Sequence, residues 1–277
     1  MKKLKKRHSL LIVAGLLLIC LIVWIAWGNT ALEVTRYTIS SSRIPEGFDG
    51  FRIVHISDLH NESFGDQNCR LIDKIQEEKP DIIVITGDIV DSRRTDLPVA
   101  VDFAEQAVQI APTYYIPGNH EGRLDYKAIS KALQNVGVIP LLDQAVTLTR
   151  NGDSIHLLGL IDENCRPNGT MADALDHLMA QTEGFTVLLS HRPTFFDIYV
   201  QAGADLVLTG HVHGGQFRLP FLGGLYTPGQ GLFPKYDAGL FAEGQTNMLI
   251  SRGLGNSAFP FRINNRPEIV VVTLQKA

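Results

Sequence analysis

The chain has 277 residues, enough for one large domain or two small ones, and its 45% hydrophobic and 19% charged residues are those of a globular protein. The net charge of −4 conceals an asymmetry, because Lys2, Lys3, Lys5, Lys6 and Arg7 form a basic head without an acidic partner. In the remainder 20 basic residues face 29 acidic ones, a net charge of −9, which argues against nucleic-acid binding driven by phosphate neutralisation.

The head, residues 1–8, is followed by a span over 9–28 whose core, "LLIVAGLLLICLIVWIAW" (10–27), holds no charge and no proline. Eighteen helical residues reach roughly 27 Å, near the thickness of the bilayer's hydrocarbon core. Trp24 and Trp27 fall at its far end, where the interface would lie. A cleaved signal peptide has a shorter apolar region and a small-residue cleavage site, to which "AWG" is a poor match. The expectation is an uncleaved signal-anchor, with the basic head cytoplasmic and the rest of the chain across the membrane. No twin-arginine pair points to that export route. Residues 29–50 read as a juxtamembrane lead-in ending in the turn "PEGFDG".

From Phe51 onward, short apolar runs alternate with helical patterns. Strands are predicted at 51–57, 81–86 and 113–117, with helices at 69–79, 98–111 and 125–136. Further strands follow at 154–160, 185–190, 204–209, 246–251 and 268–274. This alternation implies βαβ units and largely parallel, buried sheets, whose chemistry sits just past the carboxyl ends of strands. One domain is expected over 51–277. Cys20 lies in the apolar span; Cys69 and Cys165 would be able to pair in an oxidising compartment, but their spacing makes no framework, so two buried thiols are expected.

Chemistry-bearing residues stand at those strand ends. "SDLHN" carries Asp58 and His60, "TGDIVD" carries Asp88 and Asp91, and "PGNHEG" carries Asn119, His120 and Glu121. "SHRP" carries His191, and "TGHVHGG" carries His211 and His213. Singly, each has a bland reading: a capping aspartate, a turn asparagine, a packed histidine. Together they put an imidazole or a carboxylate at every strand mouth along one edge. His, Asp and Asn without cysteine suit borderline divalent ions such as Zn, Fe, Mn or Co, and there are enough ligands for two ions sharing a carboxylate.

The set D-x-H, G-D-x-x-D, G-N-H-[DE], a lone H and G-H-x-H resembles the calcineurin-like metallophosphoesterase superfamily over roughly residues 51–275. The tail stretches "GHVHGGQFRLP", "SRGLG" and "RPEIVVVTL" are similar to a membrane-associated bacterial branch of it. The resemblance implies an α/β fold, a four-layer α/β/β/α sandwich, preceded here by one transmembrane helix. It implies that Asp58, His60 and His213 bind a first metal, that Asp88 bridges, and that Asn119, His191 and His211 bind a second. It further implies that His120 protonates the leaving oxygen and that Asp91 orients His120 by a hydrogen bond. Glu121 stands where many members carry Asp, and both occur in the pattern. Gly87, Gly118 and Gly210 beside the ligands let the backbone turn and keep the cavity clear.

The implied activity is hydrolysis of a phosphodiester, phosphomonoester or pyrophosphate bond by in-line attack of a metal-bound hydroxide. The anchor favours an envelope, wall-linked or lipid-linked substrate at the cell membrane, met by a monomeric extracytoplasmic domain. The apolar, glycine-rich stretch 219–233 is either a surface for a lipid or polymer chain or a packed loop. Two rival readings are a cytoplasm-facing nucleotide-lipid pyrophosphohydrolase, which the basic head opposes, and a non-catalytic scaffold, which the complete ligand set opposes.

Overall fold

The computed structural model describes residues 2–257 and 259–277; the side chains of the basic head, Lys2 to Arg7, lie outside the described residues. Helix α1 (Lys2–Thr30) is followed by β1 (Glu33–Ser41), β2 (Arg52–Ile56), α2 (Cys69–Glu77), β3 (Ile82–Thr86), α3 (Leu97–Ile110), β4 (Thr113–Ile116), the single turn α4 (Asn119–Gly122) and α5 (Tyr126–Asn135). Next come β5 (Ile139–Pro140), β6 (Gln144–Arg150), β7 (Asp153–Gly159), α6 (Met171–Met179), β8 (Thr186–Leu189), α7 (Phe196–Ala202) and β9 (Leu206–Thr209). Two small hairpins, β10 (Arg218–Leu219) with β11 (Gly223–Gly224) and β12 (Tyr226–Thr227) with β13 (Gly231–Leu232), precede β14 (Gly239–Glu243), β15 (Thr246–Ile250) and β16 (Glu268–Lys276).

Two six-stranded sheets result, in the orders β1-β16-β2-β3-β4-β5 and β14-β15-β9-β8-β7-β6. Strands β2 to β5 run parallel, as do β7, β8, β9 and β15. Because side chains alternate along a strand, each sheet has two apolar faces. Val54, Ile83 and Ile85 pack with Leu71, Phe103 and Leu133 of α2, α3 and α5. Ile53, Val84 and Val272 meet Leu157, Val187 and Leu208 of the other sheet. Leu158, Leu188 and Val207 cover Leu175 and Tyr199 of α6 and α7. Those three cores make four layers, α/β/β/α.

Two expectations change. Residues 33–41 are not a lead-in, because β1 pairs in parallel with β16 over nine residues, Glu33 opposite Glu268 through Ser41 opposite Lys276. Its Ile39 joins the inter-sheet core and Val34 packs on the outer one. The thiols are not both buried: Cys165 is, whereas Cys69 is exposed at the start of α2.

The span Leu10–Thr30 is long and apolar enough to cross a membrane and none of it is buried in the protein. It ends against the domain. Asn29 Nδ2 donates to the Arg262 carbonyl at 3.0 Å, the Arg262 amide returns a bond to Asn29 Oδ1 at 2.7 Å, and the Arg266 guanidinium lies 4.9 Å from the Trp27 ring. Only Ala31 and Leu32 separate α1 from β1.

If β1 belongs to the core, Ile39→Ala in the full detergent-solubilised chain should cost about 2–5 kcal/mol by denaturant unfolding. A linker would show no change.

Candidate metal centre

The five sequence motifs converge at the carboxyl ends of β2, β3, β4, β8 and β9, where the two sheets face each other. Asp58, His60, Asp88, Asn119, His120, His191 and His213 are all buried. Of the seven expected ligands, Asp58, His60, Asp88, His211 and His213 hold positive φ, between 48° and 70°. Left-handed backbone is costly for residues with a Cβ, and such strain collects at functional sites.

Two glycines make the approach possible. A Cβ at Gly118 would strike the Asp88 carboxylate, and one at Gly210 would strike the side chains of Ser57 and Asp58.

Ring nitrogens and side-chain oxygens crowd together at two points. His60 Nε2 lies 3.2 Å from His213 Nε2, which is 3.4 Å from Asp58 Oδ1. On the other side, His191 Nε2 lies 3.2 Å from His211 Nδ1 and 3.1 Å from Asn119 Oδ1. Ligands about 2.1 Å from one ion stand roughly 3.0–3.4 Å apart at octahedral or tetrahedral angles; these pairs have that spacing, and the remaining edge of the first group, His60 Nε2 to Asp58 Oδ1, is wider at 3.8 Å. Asp88 Oδ2 lies between the two groups, 3.7 Å from His60 Nε2 and 3.3 Å from His191 Nε2. The groups Asp58–His60–His213 and Asp88–His191–His211 could each hold a metal ion. A third grouping, His60–Asp91–His120, shares His60 with the first.

Burial sets the charge states of the cluster's own side chains. It lowers His60 and His211 to about 3 and raises Asp58 to about 6. Burial would also lower His191, but the carboxylates of Asp88, Asp58 and Asp162 outweigh it and raise this ring to about 10. Burial opposes ionisation of Asp88, and His191, His60 and His120 overcome it, holding the carboxyl well below its usual range. His191 Nδ1 is 2.7 Å from the Thr86 carbonyl, to which it donates, leaving Nε2 for the cluster.

His120 differs from expectation at Nδ1. The Ser92 amide donates to that nitrogen at 3.0 Å, while Asp91 Oδ1 stands 3.3 Å away. In the neutral ring the proton therefore resides on Nε2.

Three further residues brace the cluster; Glu121 falls in the G-N-H-[DE] motif, whereas Arg262 and Asn265 lie outside every motif. Glu121 accepts from the amides of Asp88 at 2.8 Å, Gly118 at 2.7 Å and Val90 at 3.1 Å, clamping two ligand loops together. Its burial, with Asp88 nearby, raises the carboxyl to about 7. The fully buried Arg262 donates to the Arg252 carbonyl at 2.8 Å and lies 3.3 Å from His213 Nδ1. Asn265 Nδ2 donates to the His213 carbonyl at 2.7 Å.

A cavity of about 350 Å³ opens above this cluster. Asp88, Asn119, His120, His211 and His213 form its floor, with Arg93 and Arg123 among the polar lining and Val212, Tyr226, Pro228 and Phe259 among the apolar.

Fold and site together define an α/β/β/α sandwich with paired metal-binding groups at its strand ends. The chain belongs to the calcineurin-like phosphoesterase family, whose profile matches residues 51–215. It is similar to the uncharacterised metallophosphoesterase YkuE of Bacillus subtilis, 34% identical over 88% of this chain and 86% of that one. It also resembles the phosphodiesterase YaeI of Escherichia coli, 29% identical over 81% of this chain and 82% of that one. A zebrafish (Danio rerio) transmembrane protein with a metallophosphoesterase domain is 29% identical over 88% of this chain and 58% of its own length. The family makes the chain a metal-dependent phosphoesterase.

Two outcomes follow from the buried groups. Glu121→Gln presents an NH₂ to at least one of three amide donors, so stability should fall by about 1–3 kcal/mol in denaturant unfolding. His191 is raised above its unfolded pKa, so the stability it gives the metal-free chain is full below about pH 6.5 and lost as pH rises through about 10. A divalent ion must displace its proton. Calorimetry at pH 7 in buffers of different ionisation enthalpy should therefore show release of about one proton or more per chain; a buffer-independent heat would refute it.

Proposed function

We propose that this chain is a membrane-anchored two-metal phosphoester hydrolase whose domain lies outside the cytoplasm. The observation that carries the reading is the Asp88 carboxylate, shared between two His/Asp groups at the floor of the cavity. Asp58, His60 and His213 would hold one ion and Asn119, His191 and His211 the other, with Asp88 between. Bound there, two divalent ions lower the pKa of a water and neutralise charge on phosphoryl oxygens.

The chain's own residues supply the rest. Burial keeps His120 below its ordinary pKa, while Asp88 and Asp91 pull the other way. A phosphoester's negative charge adds to that pull and favours the imidazolium. The new Nδ1–H then has Asp91 Oδ1 to accept it, and Nε2–H is delivered to the leaving oxygen. That transfer leaves a neutral ring with its proton on Nδ1 facing Asp91; proton uptake from water at Nε2 and loss of the Nδ1 proton to water restore the tautomer that the Ser92 amide favours. Arg93 and Arg123 give the mouth positive charge for an anionic ester.

The anchor supports an envelope substrate, lipid-linked or wall-linked, and the basic head supports the extracytoplasmic orientation. Protease access to the domain in intact spheroplasts tests that orientation.

With bis-p-nitrophenyl phosphate and added Mn, His120→Asn in the full chain should lower kcat by about 10²–10⁴-fold while metal content is retained. Asp88→Asn should lose both metal-dependent hydrolysis and the second ion. Unchanged rates in both variants would overturn the reading.

A further inference from the structure

The site opens beside a surface that water does not favour. Among the described residues outside α1, all the exposed large apolar side chains but Ile139 and Leu240 fall in two segments, 219–233 and 259–261. Phe221 is fully exposed, and Leu222, Leu232 and Phe233 are each more than half exposed. Phe221 and Phe233 also hold positive φ, 66° and 53°, a conformation that bulky residues rarely adopt. A patch of this kind marks an interaction surface.

The patch is continuous with both the anchor and the cavity. The Arg218 amide donates to the Ile263 carbonyl at 3.0 Å, rooting the 218–224 hairpin on the segment that Arg262 bonds to Asn29. Phe217, just before it in the chain, packs its ring at a tilt against Phe259 and Phe261 at ring separations of 5.2 and 5.5 Å. Trp24 and Trp27 of α1 line a common recess with Arg262 and Arg266, so this part of the domain sits level with the end of the apolar span, where a membrane interface lies. Tyr226 and Phe259 belong at once to the patch and to the cavity wall.

We infer that segments 219–233 and 259–261 dock into the phospholipid bilayer that carries α1, so that the cavity opens onto the headgroup layer and takes a phosphoester of a membrane lipid. This deepens the phosphoesterase reading and rests on it for the substrate. Water's oxygen bonds to phosphorus, the ester P–O bond breaks, and a proton ends on the leaving headgroup or glyceride oxygen. Docking is apolar rather than ionic, since the chain beyond its basic head is acidic.

The test uses the full chain, one copy per phosphatidylcholine nanodisc. In a Trp24→Phe/Trp27→Phe background, Leu222→Trp supplies the single indole. Lipids brominated near the headgroup end of the acyl chain should quench it about twofold or more, unaffected by 0.5 M salt, roughly five times the ionic strength at which the screening length is ~10 Å. An unquenched indole overturns the docking surface, including the case in which a second copy covers the patch at higher concentration. In the otherwise native chain, Phe221→Asp/Leu222→Asp should keep bis-p-nitrophenyl phosphate hydrolysis. The same variant should lower hydrolysis of phosphatidylglycerol or phosphatidylethanolamine in the disc by about tenfold or more. Wild-type chain that cleaves the soluble diester but neither lipid overturns the substrate class. Loss of soluble-diester hydrolysis in the wild type is instead a failure of the phosphoesterase reading, and the quenching still reports on docking.

Discussion

Asp88 Oδ2 is the atom on which both halves of the site converge, within 3.3–3.7 Å of an imidazole from each sheet. Placing it there demands much of the chain. Its backbone is left-handed, its other oxygen accepts the His120 amide at 2.7 Å, and its own amide is taken by Glu121. Buried carboxylates and imidazoles at this density are unfavourable unless charge is matched. The two hydrophobic faces of each sheet supply the stability against which that arrangement is held, and the sheets' parallel strands aim all five ligand loops at one edge.

Much of this is legible in the sequence because the ligand loops are short and each follows a buried apolar run. The run marks the strand, and the residues just past it fall at a mouth. Strand β1 escapes for the opposite reason. "EVTRYTISS" is half-exposed and polar, and becomes a strand only by pairing with residues more than 230 positions away. Glu121 is visible as a letter in "GNHE", but its role as a clamp depends on amides from two loops. Ser92 meets His120 Nδ1 through both its amide and its hydroxyl, a contact that no motif spacing records. Arg262 and Asn265 reach His213 from a loop about 50 residues downstream, where nothing in the spacing marks them.

The same loop explains why the apolar span and the site are not independent parts. Arg262 uses its main chain to receive the helix end and its guanidinium to approach His213. Burial lowers this group to about 10, so it remains charged at neutral pH. One residue therefore couples the place where the chain leaves the apolar span to the place where a ligand ring is held.

Two residues between α1 and β1 leave no slack. A domain on a long tether samples a hemisphere and meets targets at many heights; a domain bonded to its own helix end does not. Its cavity keeps one distance from the plane of the helix end and one tilt toward it. Under the proposed anchoring, reach is then a selectivity filter in its own right: esters at that level would be encountered by lateral diffusion in two dimensions, while those held far above it would never be presented to the site.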